Sequence, residues 1–413
     1  MQKEPENNLS VYIITTNINH RSSMLLNLAN TKIQITYIIK DKENTKSDSN
    51  HIGIKPYPNP TGIFRVLGLY KLKALFDKYL FFPSTTILFN GAAKKILYQK
   101  IQHDLNNNRS VSVVTCAPPH GTTLCGLYLK KRFPKINWLV DWQDLWTYDE
   151  SYFHRTPKLY KKRLIKLEQK ILQSSDLNIT TNNYAADVLK NHYNLPSNKI
   201  ISIVHPYNTE ELAAVSTLNN NQAASNNRAI KIGFLGTLSK PPKVPGDRIL
   251  EAIDSAQDSG LNVEFHIFGD PTKLTHDLVK KMRNNGVIIH ERMPHLDSLK
   301  KISECDILLI TLSDLPNCRV IMHAKLPHYL IINRPILAFV PKKSFVAQVV
   351  NETNTGIVID TDKDWGLELV NILRSFKDKN LNFNRNEQAI RKYSWENVSK
   401  QWNNVINKAP LKP

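Results

Sequence analysis

Short, continuous apolar runs recur along the chain, and polar loops and helical patterns separate them. Such a run is typical of a parallel strand that is covered on both faces. A strand, a helix and a second strand in succession pack as a right-handed parallel unit. The pattern therefore predicts an α/β protein built on parallel sheets. The runs are residues 10–16, 33–39, 111–117, 138–142, 200–204, 230–235, 262–268, 287–290, 306–311, 336–340 and 356–359.

The chain has 413 residues, which is too long for one ordinary domain and suits two. Residues 217–228 interrupt the succession of apolar runs and are rich in asparagine and poor in apolar side chains. Such a composition is typical of a linker. We therefore expect two domains, each with its own parallel sheet.

The charge of the chain is large and unevenly placed. The formal net charge is +19. Residues 1–200 hold 28 Lys and Arg against 14 Asp and Glu, whereas the remaining residues hold 27 against 22. A basic first half indicates an acidic partner, such as anionic lipid, a phosphorylated acceptor or nucleic acid. The alternative is a solvated surface that is basic without any partner.

Two segments of the first half combine basic and apolar residues. Residues 61–82 carry Arg65, Lys71 and Lys73 among large apolar side chains, and residues 157–172 form a basic amphipathic pattern with Lys161, Lys162 and Arg163. Both segments fit contact with an anionic membrane or with the acceptor. The alternative is a helix that packs one face on the core.

Other classes are disfavoured by the sequence. No apolar run approaches the roughly 18 residues that cross a bilayer, and the first residues show no secretory signal. The four cysteines show no metal-type spacing and are expected to be reduced. No helix-turn-helix, aromatic platform or zinc spacing supports nucleic-acid binding. We expect a cytoplasmic protein, peripherally attached to the inner face of the cell membrane.

The segment 322–341 resembles the donor-binding segment of retaining GT-B glycosyltransferases, whose usual form is P-x-K-L-x-E-Y-L-A-x-G-x-P-I-L. The chain departs from that form at His323, His328 and Asn333, and His328 stands where the family has glutamate. The matching residues are Lys325, Leu326, Tyr329, Leu330, Pro335, Ile336 and Leu337.

Residues 116–146 resemble a second pattern, found in bacterial GT-B enzymes that build surface polysaccharides. The family pattern S-x-P-P-x-S-x-H … W-V-x-D-F-R-D-L-W is matched by Pro118-Pro119 and by 138–146, with Gln143 in place of arginine. The resemblance implies that His120, Asp141 and Asp144 lie on the acceptor side and take part in catalysis. The alternative is that they are helix caps or satisfied polar groups.

The resemblance covers nearly the whole chain and implies a GT-B fold, in which two Rossmann-like domains face each other across a cleft. Residues 1–208 would form the acceptor-side domain, 209–229 the linker and 230–385 the donor-binding domain. Residues 386–413 would carry a helix that crosses back to the first domain. The implied function is transfer of a sugar from a nucleotide sugar to a glycan or lipid-linked acceptor, in polysaccharide assembly.

The resemblance also implies roles for residues of the second domain. Lys325 would act with Lys240 or Lys243 to neutralise the leaving diphosphate, and Gly236 would let the backbone approach the phosphates. No His/Cys cluster argues for a metal, and no cofactor is expected beyond the nucleotide sugar as co-substrate. The remaining predicted donor contacts are Thr237, Gly269, Asp270, Arg292, Met293, His328 and Tyr329.

The departure at His328 leaves two functional hypotheses open. Neutral histidine lacks the charge and the second oxygen with which a glutamate binds ribose hydroxyls. Either the donor is bound differently, or donor binding is lost and the protein is a binding or scaffold subunit. The oligomeric state is not indicated by the sequence.

Overall fold

The computed structural model describes residues 9–18, 20–29, 32–41, 50–216, 228–236, 238, 244–269, 286–378 and 383–407. The chain divides into two compact units. The first consists of Met1–Val204 together with Ser399–Pro413, and the second of His205–Val398.

The first unit is built on a parallel sheet. Within the described residues it has seven strands in the spatial order β3-β2-β1-β4-β5-β6-β7. The central strands are buried on both faces, which explains their uninterrupted apolar runs. The strands are β1 Leu9–Ile14, β2 Ile33–Lys40, β3 His51–Ile54, β4 Ser110–Ala117, β5 Asn137–Trp142, β6 Leu177–Thr180 and β7 Ile200–Ser202.

Helices connect these strands. The predicted basic helix at 157–172 is Lys158–Ser174, and the predicted segment at 61–82 forms two short helices. The helices are α1 His20–Ser23, α2 Gly62–Val66, α3 Tyr70–Leu80, α4 Thr86–Asn106, α5 Thr123–Arg132, α6 Glu150–Phe153, α7 Lys158–Ser174 and α8 Asn183–Tyr193.

The second unit repeats this architecture. Its described strands form a six-stranded parallel sheet in the order β10-β9-β8-β11-β12-β13. Relative to its own first strand the order is 3-2-1-4-5-6, as in doubly wound dinucleotide-binding folds. The strands are β8 Ile230–Leu235, β9 Val263–Phe268, β10 Val287–His290, β11 Ile307–Thr311, β12 Ile336–Phe339 and β13 Gly356–Ile359.

One hydrophobic core on a face of this sheet includes Phe234, Phe265, Phe339 and Trp365, all nearly inaccessible. The described helices are α9 Thr209–Ser216, α10 Gly246–Asp258, α11 His295–Ser303, α12 Pro316–Arg319, α13 Leu326–Ile331, α14 Phe345–Thr353, α15 Trp365–Lys377, α16 Glu387–Arg391 and α17 Trp395–Ile406.

The predicted α/β fold class is confirmed. The linker prediction needs a correction, because its first part is the helix α9, which belongs to the second unit. Residues 217–227 of that linker lie outside the described residues. From Ser399 onward the chain belongs to the first unit, where Trp402 of α17 is fully buried.

Two expectations from composition concern the cysteines and the membrane. All four cysteines are buried and free, as predicted for reduced core residues. Among the helices in the described parts of the chain, none is sufficiently long and apolar to cross a membrane.

Candidate functional site

The carboxyl ends of β8 and β11 mark the point at which the strand order of the second sheet reverses. Open parallel sheets bind ligands in the crevice outside the strands at such a point. Gly236 follows β8 with a φ of +117°, a conformation that residues with a Cβ rarely adopt. Its N–H donates to the carbonyl of Phe268, 2.7 Å away, at the end of β9. Gly269 follows that strand.

Lys325 lies beside Gly236 at this point. Its Nζ is 3.6 Å from the centroid of the Phe234 ring, and a Cβ built on Gly236 would lie 3.4 Å from Nζ. The residue is only 9 % exposed. Burial lowers the pKa of Lys325 to about 7, because the surroundings disfavour the charged form. A buried amine of this kind gains most when an anion arrives beside it.

Tyr329 positions the helix that follows Lys325. Its hydroxyl accepts a hydrogen bond from the Leu235 N–H at 2.8 Å and donates to the Leu309 carbonyl at 3.2 Å. The side chain is fully buried, and it ties α13 to β8 and β11. Burial raises the pKa of Tyr329, so the phenol stays protonated. The predicted donor contact is better described as a structural support for Lys325.

His328 contacts Glu211 and His295, and the sequence indicated neither contact. Its Nδ1 lies 3.4 Å from a carboxylate oxygen of Glu211, and its ring meets that of His295 edge-on at 4.7 Å. Glu211 is 1 % exposed. A glutamate at position 328 would set a second carboxylate against the buried one, so His328→Glu would disrupt this group.

The other predicted donor residues are less well defined. Arg292 is exposed and Met293 half-buried, and both follow β10 at the same edge of the sheet as Gly236. Thr237, Lys240, Lys243 and Asp270 lie outside the described residues. Lys325 is therefore the cation that the described part of the chain places next to Gly236.

Asp141 is buried and paired with a cation, which does not favour its predicted catalytic role. It is fully buried in β5, where the Arg21 guanidinium donates to both of its carboxylate oxygens at 2.9–3.2 Å. Gln143 donates a further hydrogen bond to Asp141. The same guanidinium donates to the carbonyls of Ile203 and Val204. Asp141 thus belongs to a structural ion pair.

His120 is enclosed by aromatic rings. It stacks on Trp146 with centroids 5.1 Å apart and meets Tyr152 edge-on at 4.8 Å. Its Nε2 lies 3.0 Å from the Asp144 carbonyl. Burial lowers the pKa of His120 to about 4, far below the value that suits a general base at neutral pH. This low pKa disfavours a role as general base, and the catalytic role of His120 stays a prediction.

His120 forms part of the wall of a cavity of about 440 Å³, which we call the aromatic cavity. Rings and two cations surround it, a lining suited to a sugar or a phosphate group. Asp144 lies close by and accepts a hydrogen bond from the Tyr152 hydroxyl at 3.3 Å. The lining includes Lys78, Phe82, His120, Trp146, Tyr152, Arg155 and Tyr160.

A second cavity of about 370 Å³ lies at the switch point of the first sheet, outside β1 and β4. Asp77 lines both cavities, and the sequence analysis missed it. Burial alone would raise the pKa of Asp77, but hydrogen bonds from Lys73, Thr61 and Asn59 hold it below the ordinary value. The sequence could have singled out this residue, because Asp77 is the one acidic residue of the basic segment 61–82.

The residues predicted to contact a membrane or the acceptor fall into two groups. Arg65, Lys71, Lys162 and Arg163 are exposed, and the guanidinium of Arg163 lies over the Phe82 ring. Lys73 is instead paired with Asp77. Lys161 is half-buried over the Phe153 ring.

Most of the apolar side chains of the segment 61–82 are exposed to solvent. Neither α2 nor α3 has a buried residue, so a helix packed on the core is excluded for both. Val66 is 86 % exposed. The exposed apolar side chains, which we call the apolar patch, are Ile63, Val66, Leu67, Leu69, Tyr70, Leu72, Leu75, Phe76, Tyr79, Leu80 and Leu159.

Comparison with known proteins identifies the fold. No protein-family model matches the chain, and no curated protein sequence does. Among solved structures, sucrose-phosphate synthase from Thermosynechococcus elongatus has 12% identity and a TM-score of 0.61 over 96% of this chain and 98% of that one. Trehalose 6-phosphate synthase from Burkholderia multivorans has 7% identity and a TM-score of 0.62 over 96% and 97%.

A glycosyltransferase from Rickettsia africae has 12% identity and a TM-score of 0.57 over 97% of this chain and 100% of that chain. The two parallel sheets and these neighbours give this chain the GT-B fold. Identities this low show the fold, so function has to be argued from the site.

Proposed function

We propose that the protein is a glycosyltransferase that moves a sugar from a nucleotide-activated donor to a glycan or lipid-linked acceptor, in assembly of a cell-surface polysaccharide. The second unit binds the donor and the first unit binds the acceptor. The reaction retains configuration at the sugar, and a lysine rather than a metal ion stabilises the leaving diphosphate.

One observation carries the proposal: a buried lysine faces a glycine at the switch point of the second sheet. The low pKa of Lys325 means that much of the cationic form is lost in the unliganded protein. A diphosphate bound there restores the proton, and the resulting contact strengthens as charge grows on the leaving group. Gly236 leaves room for the phosphates to approach the backbone.

Donor binding is therefore expected to take up a proton above neutral pH. With a pKa of about 7, Lys325 is mostly neutral at pH 8, so binding should take up most of one proton there. The affinity should fall by up to about tenfold per pH unit above pH 7. Calorimetry of a nucleotide sugar in two buffers with different heats of ionisation measures both quantities.

Nucleotide sugars suit this titration because their diphosphate is a diester and does not titrate near pH 7. Lys377→Met, at an exposed lysine of α15, is the matched control and should keep the proton uptake. Equal affinity from pH 6 to pH 9, with no proton taken up, would contradict the role of Lys325.

The apolar patch supports a lipid-linked acceptor. Tyr160 of α7 donates to the Tyr79 carbonyl at 2.9 Å, so α7 and the patch-bearing α3 are neighbours. The aromatic cavity is lined by residues of both helices, among them Lys78 and Tyr160. An acceptor whose lipid stays in the membrane could reach this cavity while the patch is in contact with the bilayer. Peripheral attachment to the inner face of the membrane is part of the proposal.

The first unit is expected to bind anionic vesicles through the patch. Buried apolar side chains and surface cations each contribute on the order of 1 kcal/mol to such attachment. Val66→Glu with Leu67→Glu should lower vesicle partitioning at least about tenfold, as measured by flotation with phosphatidylglycerol-containing vesicles.

The matched control for this variant is Leu367→Glu, because Leu367 is an exposed leucine of the second unit. It should float as the wild type does. Equal recovery of the wild type on neutral and anionic vesicles would refute the preference for anionic lipid. Equal recovery of the patch variant and the control would refute membrane contact by α2 and α3.

The alternative function is a binding or scaffold subunit without donor turnover. It is favoured by the use of His328 in a group with Glu211 and His295, which leaves no carboxylate at that position for a ribose. Nucleotide sugars separate the two functions, because a scaffold binds none of them. Nucleic-acid binding has no support beyond the net charge.

A further inference from the structure

Glu211, His295 and His328 converge in the second unit. Nε2 of His295 lies 3.0 Å from Oε1 of Glu211, and Nδ1 of His328 lies 3.4 Å from Oε2. One potential ligand atom from each residue can be chosen so that all three lie within 4.8 Å of one another. These residues come from three helices, α9, α11 and α13.

The two distances to Glu211, 3.0 and 3.4 Å, are close to the separation of two ligands around a tetrahedral metal ion. Zinc binds imidazole nitrogen and carboxylate oxygen at about 2.0–2.2 Å, so two ligands of one tetrahedral ion stand about 3.4 Å apart. Two histidines and one carboxylate form a ligand set that zinc uses, and imidazole disfavours magnesium and calcium. Because the three atoms spread over up to 4.8 Å, the side chains would have to close by about 1 Å for all three to reach bonding distance of one ion.

Hydrogen bonds with Asn208 fix the position of Glu211. The backbone N–H of Asn208 donates to its Oε2 at 2.9 Å, and the Glu211 N–H donates to the Asn208 side chain at 2.7 Å. This reciprocal cap fixes the carboxylate at the start of α9. Outer contacts of this kind orient metal ligands and raise affinity.

The group is buried on one side and open on the other. The side chain of Glu211 is 1 % exposed, whereas that of His295 is 46 % exposed. A metal ion would therefore have a route from solvent, and water could fill its fourth position. Without a metal, the His295 imidazole hydrogen-bonds the Glu211 carboxylate, and Nδ1 of His328 lies 3.4 Å from its other oxygen.

We propose that Glu211, His295 and His328 bind one Zn²⁺, which ties α9 and α11 to α13. The site goes beyond the proposed transfer reaction, and its zinc takes no part in moving the sugar. It gives His328 a role that its position in the sequence does not indicate.

The test uses the full chain, stripped with a chelator, dialysed and equilibrated with Zn²⁺ alone. Metal analysis of the wild type should find about one equivalent of zinc. His295→Ala should bind at least about tenfold more weakly, since loss of one of three protein ligands removes a bond. His103→Ala is the matched control, because His103 is an exposed histidine of the first unit, and it should bind as the wild type does.

Two further measurements distinguish a built site from loose association. Co²⁺ should give the intense visible absorption of four-coordinate cobalt with the wild type and lose it with His295→Ala. Glu211→Gln keeps an acceptor for the Asn208 N–H but loses the anionic ligand, so it should stay folded by circular dichroism and bind little zinc. The proposal would be overturned if the stripped wild type took up no zinc, or only as much zinc as His295→Ala. Neither result depends on nucleotide sugars, so the proposed transfer reaction is tested separately.

Discussion

Lys325→Met is expected to lower kcat/KM for sugar transfer roughly 30- to 1,000-fold, with most of the loss in kcat. This corresponds to a loss of about 2–4 kcal/mol of transition-state stabilisation. The lysine contributes a cation beside the phosphates, and that contact is strongest when the bond to the leaving group has broken. Methionine fills a similar volume against Phe234 and Gly236, so the loss reports the charge rather than the packing. Steady-state kinetics with a donor and acceptor pair measures it.

The same variant should be more stable than the wild type. The folded pKa of Lys325, about 7, lies below the ordinary 10.5 of the unfolded chain. Burial of Lys325 therefore lowers the free energy of unfolding most below pH 7, less between pH 7 and 10.5, and not at all above pH 10.5. We expect a gain of about 1–3 kcal/mol at pH 6 that disappears near pH 10.

Chemical unfolding of the second unit at the two pH values checks this expectation. Lys377→Met should change neither the kinetics nor the stability. A Lys325→Met protein that is less stable than the wild type and fully active would contradict both parts of the expectation.

Arg21→Ala is expected to destabilise the first unit by about 3–5 kcal/mol, because it leaves the buried charge of Asp141 without its partner. The guanidinium also donates to the Ile203 and Val204 carbonyls and lies 5.2 Å from the centroid of the Trp402 ring. Arg21 thus connects α1 to β5, to the two residues that follow β7 and to α17.

Denaturant unfolding of the first unit measures the effect. The double variant Arg21→Met with Asp141→Leu should recover most of the loss, since replacing both buried charges with apolar groups is often neutral. Arg132→Ala, at an exposed arginine of α5, serves as the control. If Arg21→Ala unfolds within about 1 kcal/mol of the wild type, Asp141 is not held by this pair and its assignment as a structural residue fails.

The buried strands were predictable because burial on both faces requires uninterrupted apolar runs. The runs at 230–235, 287–290 and 356–359 coincide with strands in the structure, although the last two are only partly buried, and the short strands β3 and β6 were not predicted. Lys325 could also be located, since the sequence placed it after a loop at the end of a strand. The structure adds its burial and its distance from Gly236.

The contacts that decide the other roles are remote in sequence. Arg21 and Asp141 are 120 residues apart, so the sequence shows an aspartate near a strand end without its partner. Glu211 and His295 are 84 residues apart, so no metal-type spacing is visible. The exposure of α2 and α3 was equally hidden, because an apolar stripe has the same period whether it meets a core or a membrane.

The central claim is that the second unit binds a nucleotide sugar through Lys325. A thermal-shift panel of UDP-, GDP-, ADP- and dTDP-sugars, run in parallel on the wild type and on Lys325→Met, tests it most directly. The account predicts that at least one nucleotide sugar raises the melting temperature of the wild type and that the variant loses this response. A wild type that responds to no nucleotide sugar, or a variant that responds as strongly as the wild type, would contradict it.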